Sequence, residues 1–196
     1  MHRVLAPADY RRMPWKNGGG VTTEIAAHPP GAGLDAIDWR LSLAEVAVDG
    51  PFSRFPGIDR TLVLLDGAGM RLELAGHVVE LRAPYEPCTF SGDVEVECRL
   101  LAGPVRDFNL MLRRERVRGG LAVLRDGGAR VAAAAERFCF VASGAVECLL
   151  PGCPPIAIAG GHALWIGGDG PDARASIAVN PLTAGAVTLV ASIDRA

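Results

Sequence analysis

Thr61-Leu62-Val63-Leu64-Leu65-Asp66-Gly67-Ala68 is an aliphatic run closed by an acidic residue and a glycine, and the same shape returns at Phe138-Cys139-Phe140-Val141-Ala142-Ser143-Gly144-Ala145. A short continuous apolar run bounded by a turn signal predicts a strand buried on both faces. Further on, Phe90-Ser91-Gly92-Asp93 answers the first run and Ile166-Gly167-Gly168-Asp169 answers the second. Gly67 and Gly144 lie 77 residues apart, and Gly92 and Gly168 lie 76 apart. Near-equal offsets predict one architecture used twice.

The flanking sequence agrees with that reading. Trp39, Leu41 and Leu43 alternate with Arg40, Ser42 and Ala44; Val94, Val96, Cys98 and Leu100 alternate with Glu95, Glu97 and Arg99. Such period-two patterning, cut often by Gly, Pro and Asp, belongs to β-structure. Amphipathic helical stretches are scarce, and the Ala132–Ala135 run is too short to make one. The expected class is all-β, each unit being a cupin-like jelly-roll half. Arg118-Gly119-Gly120 places the junction, giving an N-terminal half over 1–117 that carries the candidate site and a C-terminal half over 118–196.

The chain has 196 residues, 49% hydrophobic and 21% charged, with a formal charge of −2 and a pI near 6.1. That balance supports a buried core and argues against a nucleic-acid partner, which asks for a basic face. No apolar run approaches the roughly 20 residues of a spanning helix, so no membrane partner is expected. The N-terminus lacks a signal-peptide core, which points to the cytoplasm. Five cysteines in no CxxC pairing suggest reduced core thiols rather than a disulfide or zinc framework.

Three stretches carry candidate chemistry. In Pro14-Trp15-Lys16-Asn17-Gly18-Gly19-Gly20, Lys16 is the only lysine beside 19 arginines, which suggests that an ammonium is wanted there. The Walker arrangement does not apply, because its lysine follows the glycines. A glycine turn with a solvated Lys16 accounts for the same residues. In Phe55-Pro56-Gly57-Ile58-Asp59-Arg60, Pro-Gly fits the centre of a type II turn, and Arg60 offers a bidentate fork to a ligand carboxylate. Asp59 and Arg60 could equally form a structural ion pair. In Asp107-Phe108-Asn109-Leu110-Met111-Leu112-Arg113, a strand puts Asn109, Met111 and Arg113 on one face. Arg114, Arg116 and Arg118 read as a solvated basic edge.

His2, His28, His77 and His162 are isolated, and neither repeat contains HxH, so no metal and no other cofactor is expected. No GxSxG is present. Glu24, His77, Tyr85 and Glu86 could serve acid–base chemistry, but nothing in the spacing pairs them.

Together these stretches resemble the HutD/Ves family: PWKNGGG with Thr22 and Glu24, Trp39-Arg40 through Ser42, Gly50-Pro51-Phe52-Ser53, Phe55 to Arg60, and Asp107-Phe108-Asn109. The resemblance implies a bicupin, two cupin-like jelly-roll barrels in tandem, without the usual metal ligands. It also implies a bacterial cytoplasmic regulator of histidine utilisation that binds a carboxylate-bearing intermediate such as N-formylglutamate or urocanate. The expected ligand-binding residues are Lys16, Asn17, Gly18, Gly19, Thr22, Ser53, Phe55, Arg60, Asn109 and Arg113, with Trp15 packing on the ligand body. No catalytic residue is assigned, and the balance leans away from an enzyme. A metal-independent isomerase or epimerase and a non-catalytic interaction protein are the rival readings. A homodimer rests on analogy with other cupin-like barrels.

Overall fold

Period-two alternation and doubly buried aliphatic runs both resolve into strands. The computed structural model describes residues 1–16, 18–125, 127–168, 170 and 175–196. Among them lie nineteen strands, one 3-10 turn at Pro7–Asp9 and no α-helix, so the fold is all-β. No helix there is long and apolar enough to cross a membrane.

The strands run in chain order as β1 (His2–Leu5), β2 (Arg11–Pro14), β3 (Gly20–His28), β4 (Trp39–Val46), β5 (Gly50–Phe52) and β6 (Ile58–Asp66). Next come β7 (Met70–Leu74), β8 (His77–Leu81), β9 (Pro87–Ser91), β10 (Val96–Leu100), β11 (Val105–Arg113) and β12 (Val117–Arg125). The remainder are β13 (Ala129–Val131), β14 (Glu136–Ser143), β15 (Ala145–Leu149), β16 (Ile156–Ala159), β17 (Ala163–Gly167), β18 (Ile177–Pro181) and β19 (Val187–Arg195).

Two compact units divide between Val117 and Arg118. The first, residues 10–117 with Ala196, holds a six-stranded sheet in the order β2-β3-β4-β11-β6-β9 and a four-stranded sheet β5-β10-β7-β8. The second, residues 118–195 with residues 1–9, holds β1-β17-β14-β19-β12 and β13-β18-β15-β16. All four sheets are open, with distinct edge strands. The first nine residues therefore group with the C-terminal half, not with the N-terminal half expected over 1–117. The reason is β1, which pairs antiparallel with β17, His2 opposite Ile166 and Leu5 opposite Ala163. Local patterning marks where a strand starts but carries no information about so distant a partner.

The internal repeat is plain in the strand order. Adding eight to each label turns β4-β11-β6-β9 into β12-β19-β14-β17, and β5-β10-β7-β8 into β13-β18-β15-β16. Gly67 and Gly144 sit in the equivalent turns, β6 to β7 and β14 to β15. Both have positive φ, +100° and +73°, and a Cβ would come within 2.6 Å of the Pro104 carbonyl oxygen or 2.3 Å of Thr183 Oγ1. Only glycine meets both demands. Each unit closes on its own apolar core: Leu62, Leu64, Met70, Leu72 and Val105 in the first, and Cys139, Val141, Val146, Ile158 and Leu164 in the second. All five cysteines are free, four of them buried, as small hydrophobes would be.

Candidate functional site

The six-stranded sheet of the first unit carries polar side chains on one face. β4 contributes Arg40 and Ser42, β11 contributes Asp107 and Asn109, and β6 contributes Arg60. Strand periodicity makes them neighbours: Ser42 lies opposite Asn109, while Met111 lies between Arg40 on one side and Arg60 on the other. These residues form the floor of a cavity of about 660 Å³. Its walls come from the β2–β3 turn, through Trp15 and Lys16, and from the segment after β5, through Ser53 and Phe55.

All of the charged floor is buried. Arg40 and Arg60 are each 6% exposed and Asp107 is 1% exposed. Arg40 is paired, its Nε donating to Glu24 Oε2 at 2.8 Å. Arg60 is held differently, with its guanidinium carbon 5.1 to 5.5 Å from the ring centres of Phe52, Phe55 and Phe90. Three aromatic faces fix the fork and favour its charge. Among the described residues, Arg60 Nε, Asp107 Oδ1 and Asn109 Oδ1 have no hydrogen-bond partner. A buried polar atom left unsatisfied costs on the order of 1–3 kcal/mol, so such a cluster calls for an explanation.

Burial shapes the titration of this pair. Desolvation lowers the Arg60 pKa to about 10, with Asp107 opposing that fall and Arg40 adding to it. Arg60 stays charged at neutral pH. Desolvation pushes Asp107 up to about 7, against the pull of Arg60. The cavity thus offers a fixed cation beside a carboxyl group that titrates near neutrality.

Of the residues expected to bind a ligand, Lys16, Thr22, Ser53, Phe55, Arg60 and Asn109 line this one cavity. Thr22 Oγ1 accepts from Trp15 Nε1 at 2.7 Å, which sets the indole against the wall and leaves the hydroxyl proton for another acceptor. Gly18, Gly19 and Arg113 do not line the cavity. Arg113 instead secures the chain before β4, donating through Nε to the Ile37 carbonyl at 2.7 Å and through a terminal nitrogen to that of Asp35 at 2.8 Å. Asn17 lies outside the described residues.

The Phe55–Ile58 turn has the geometry its residues foretell. Ile58 N–H donates to the Phe55 carbonyl at 3.1 Å, and Gly57 takes φ +76°. Asp93 Oδ1 accepts the Gly57 N–H at 2.8 Å, and Arg114 bridges Asp93 to Asp59. Asp59 thus pairs with Arg114 and not with its neighbour Arg60, because adjacent strand residues point to opposite faces. Arg114 is accordingly a brace for the turn, not a member of a merely solvated edge. The Gly57 N–H, the Ser91 hydroxyl and Arg114 together hold Asp93 below the usual carboxylate range.

Arg40, Ser42, Phe52 and Asp107 also line the cavity, although their motifs carried no expected binding role. The signal for Asp107 was present, since it precedes Asn109 by two; the shared face was followed forward to Arg113 but not backward. Among the described residues no group of three or more His, Cys, Asp or Glu is placed to hold a metal ion.

Comparisons with known proteins converge on one family. The family profile described as HutD matches residues 7–181. A Pseudomonas putida protein, described as an uncharacterised 21.2 kDa protein in the hutC 3′ region, is 42% identical over 151 residues, covering 76% of this chain and 78% of its own. Protein Ves of Citrobacter koseri is 40% identical over 119 residues, 59% of this chain and 61% of its own. The structure of HutD from Pseudomonas fluorescens SBW25, in a formate condition, superposes with a TM-score of 0.85 over 100% of both chains at 35% identity. A cupin 2 conserved barrel domain protein from Leptotrichia buccalis has a TM-score of 0.59 at 9% identity, covering 94% of this chain and 96% of its own, a likeness of fold alone.

Proposed function

The chain belongs to the HutD family, and from that footing we propose that it is a small-molecule-binding regulatory protein of histidine utilisation. Its ligand is a carboxylate-bearing intermediate of the N-formylglutamate or urocanate kind, bound in the cavity of the first unit. One observation carries this reading: a buried Arg60 whose Nε has no partner among the described residues, on the floor of a cavity. An arginine fork suits a planar carboxylate, and Lys16 adds a second cation at the rim. The genomic neighbourhood named for the Pseudomonas putida relative supports the pathway.

The same footing supports a bicupin, each unit a cupin-like jelly roll, on the strength of the repeated strand order and the cupin-like structural neighbour. A cytoplasmic location and a homodimer belong to this reading by analogy.

A thermal-shift screen against N-formylglutamate, urocanate, histidine, glutamate and formate tests it. A ligand at 100 times its Kd stabilises the fold by about 2.7 kcal/mol, a readily measured rise in Tm. A rise with one acid that Arg60→Ala abolishes is the expected result; no rise with any acid removes the reading. The neutral titration of the buried Asp107 favours a second reading, a metal-independent acid–base enzyme. Turnover of one of these acids, followed by NMR and lost in Asp107→Asn, would establish that alternative.

A further inference from the structure

Asp107 is the least explained group in the cavity. It stands on β11 between Ala44 of β4 and Leu64 of β6, neither of which offers a hydrogen bond to a carboxylate through its side chain. It is 1% exposed, and among the described residues its Oδ1 has no partner. Arg60 is the cation that acts on it, yet among the described residues the two form no ion pair within 4 Å. The other charges on the floor cancel, since Arg40 is neutralised by Glu24 at 2.8 Å.

Consider what an incoming carboxylate would meet. If Asp107 is ionised, the anion that approaches Arg60 is forced beside a second buried negative charge, a repulsion that low-dielectric surroundings strengthen. If Asp107 is neutral, the floor carries one net positive charge and gains an O–H donor. An O–H donated to a carboxylate is among the shorter and stronger hydrogen bonds. The empty Oδ1 and the empty Arg60 Nε then have one explanation in common.

We propose that Asp107 belongs to the anion site, entering it as the neutral acid and donating its O–H to the carboxylate held by Arg60, so that wherever Asp107 is ionised in the free protein each anion is taken up with one proton. This rests on the carboxylate-binding reading above. The proton comes from solvent and stays on the Asp107 carboxyl; no covalent bond of the ligand changes.

The sign of the pH dependence follows. Free Asp107, pushed up to about 7 by desolvation, is already protonated below neutrality, so affinity there is flat. Above that point a proton must be acquired on binding, and affinity falls by up to about tenfold per pH unit. Arg60 and Cys98, the two groups coupled electrostatically to Asp107, keep their charge state across this window. Arg60, at about 10, stays charged, and the Cys98 thiol of β10, pushed up to about 12 by burial, stays neutral. The Arg40–Glu24 pair on β4 and β3 is joined at 2.8 Å, and Lys16 sits exposed at the rim.

Isothermal titration calorimetry of the whole chain with N-formylglutamate and with glutarate, between about pH 6 and pH 8.5, reads the proton directly when run in two buffers of different ionisation enthalpy. N-formylglutamate is ionised throughout that range, and glutarate is so over its upper part, where the uptake is read. The expected result is uptake approaching one proton at the upper end and none at the lower end. Asp107→Asn should bind without pH dependence, and at the upper end at least as tightly as the native chain. Affinity that is flat or rises with pH in the native chain overturns the proposal while leaving anion binding intact. Unaltered proton uptake in Asp107→Asn overturns it as well. Binding of neither acid at any pH overturns this proposal and the carboxylate reading together. Should Asp107→Asn fail to fold, the native proton count still decides.

Discussion

Arg60 and Asp107 show how a single strand position can serve a site at the expense of the fold. Replacing Arg60 by alanine removes charged hydrogen bonds each contributing about 1.5–3 kcal/mol, so acid binding should weaken tenfold or more in a titration. Asp107 leaves a mark on stability as well. Its folded pKa, about 7, lies above its unfolded value, so between roughly pH 4 and pH 7 the native state holds the extra proton. This contribution to stability is present at low pH, declines as pH rises through that window, and is fully lost above it. The loss is on the order of 4 kcal/mol at most, and Asp107→Asn should therefore raise the denaturant midpoint at about pH 8 while changing it little near pH 4. At this scale sequence was half informative. Arg60 was legible because it follows a turn motif and opens a buried strand. Asp107 was legible only in its face, which alternation shares with Asn109; its burial depends on the strands that flank it, and nothing local reports that.

The elements around the cavity are positioned by two tight devices. One is the β2–β3 hairpin, where Gly20 lets β3 run beneath the indole: a Cβ there would come within 2.4 Å of the Glu45 carbonyl oxygen and 3.0 Å of Trp15 Cε3. Gly20→Ala should displace Trp15, lower Tm and weaken acid binding together. The other is the Phe55–Ile58 turn. Gly57 has open space around its Cα, with only an Arg113 nitrogen at 3.8 Å, so Gly57→Ala is opposed by its positive φ alone and should cost about 1–2 kcal/mol in chemical denaturation. The type II turn was legible from Pro56-Gly57 because its requirements are local. The three glycines after Asn17 misled on the point that mattered: Gly18 and Gly19 shape the hairpin, while the cavity takes its lining from the side chains on either side of them.

At the scale of the molecule, one strand order serves twice, and the duplicates have diverged in what they do with the same positions. Arg137 on β14 sits opposite Ile166 as Arg60 sits opposite Phe90, yet its guanidinium donates to the carbonyls of Ala132 and Ala175. Across the neighbouring strand, Val141 faces Thr188 where Leu64 faces Asp107. The repeat itself was legible from glycine spacing, because turns at fixed offsets recur with the fold. The pairing of β1 with β17 was not, because the partner lies more than 150 residues away and an edge strand carries little pattern of its own. Deleting residues 1–9 should expose the β17 edge, lower Tm and promote aggregation. Acid affinity should survive, since the lining residues all fall between Met13 and Met111.

That pairing also has a meaning in time. On a ribosome adding about 5–20 residues per second, the segment His2–Leu5 emerges roughly ten to thirty seconds before Ala163–Gly167 exists to receive it. Every strand of the two sheets in residues 10–117 is made in that interval, while His2–Leu5 still lacks β17 to pair with. A strand made early is thus among the last to find its place.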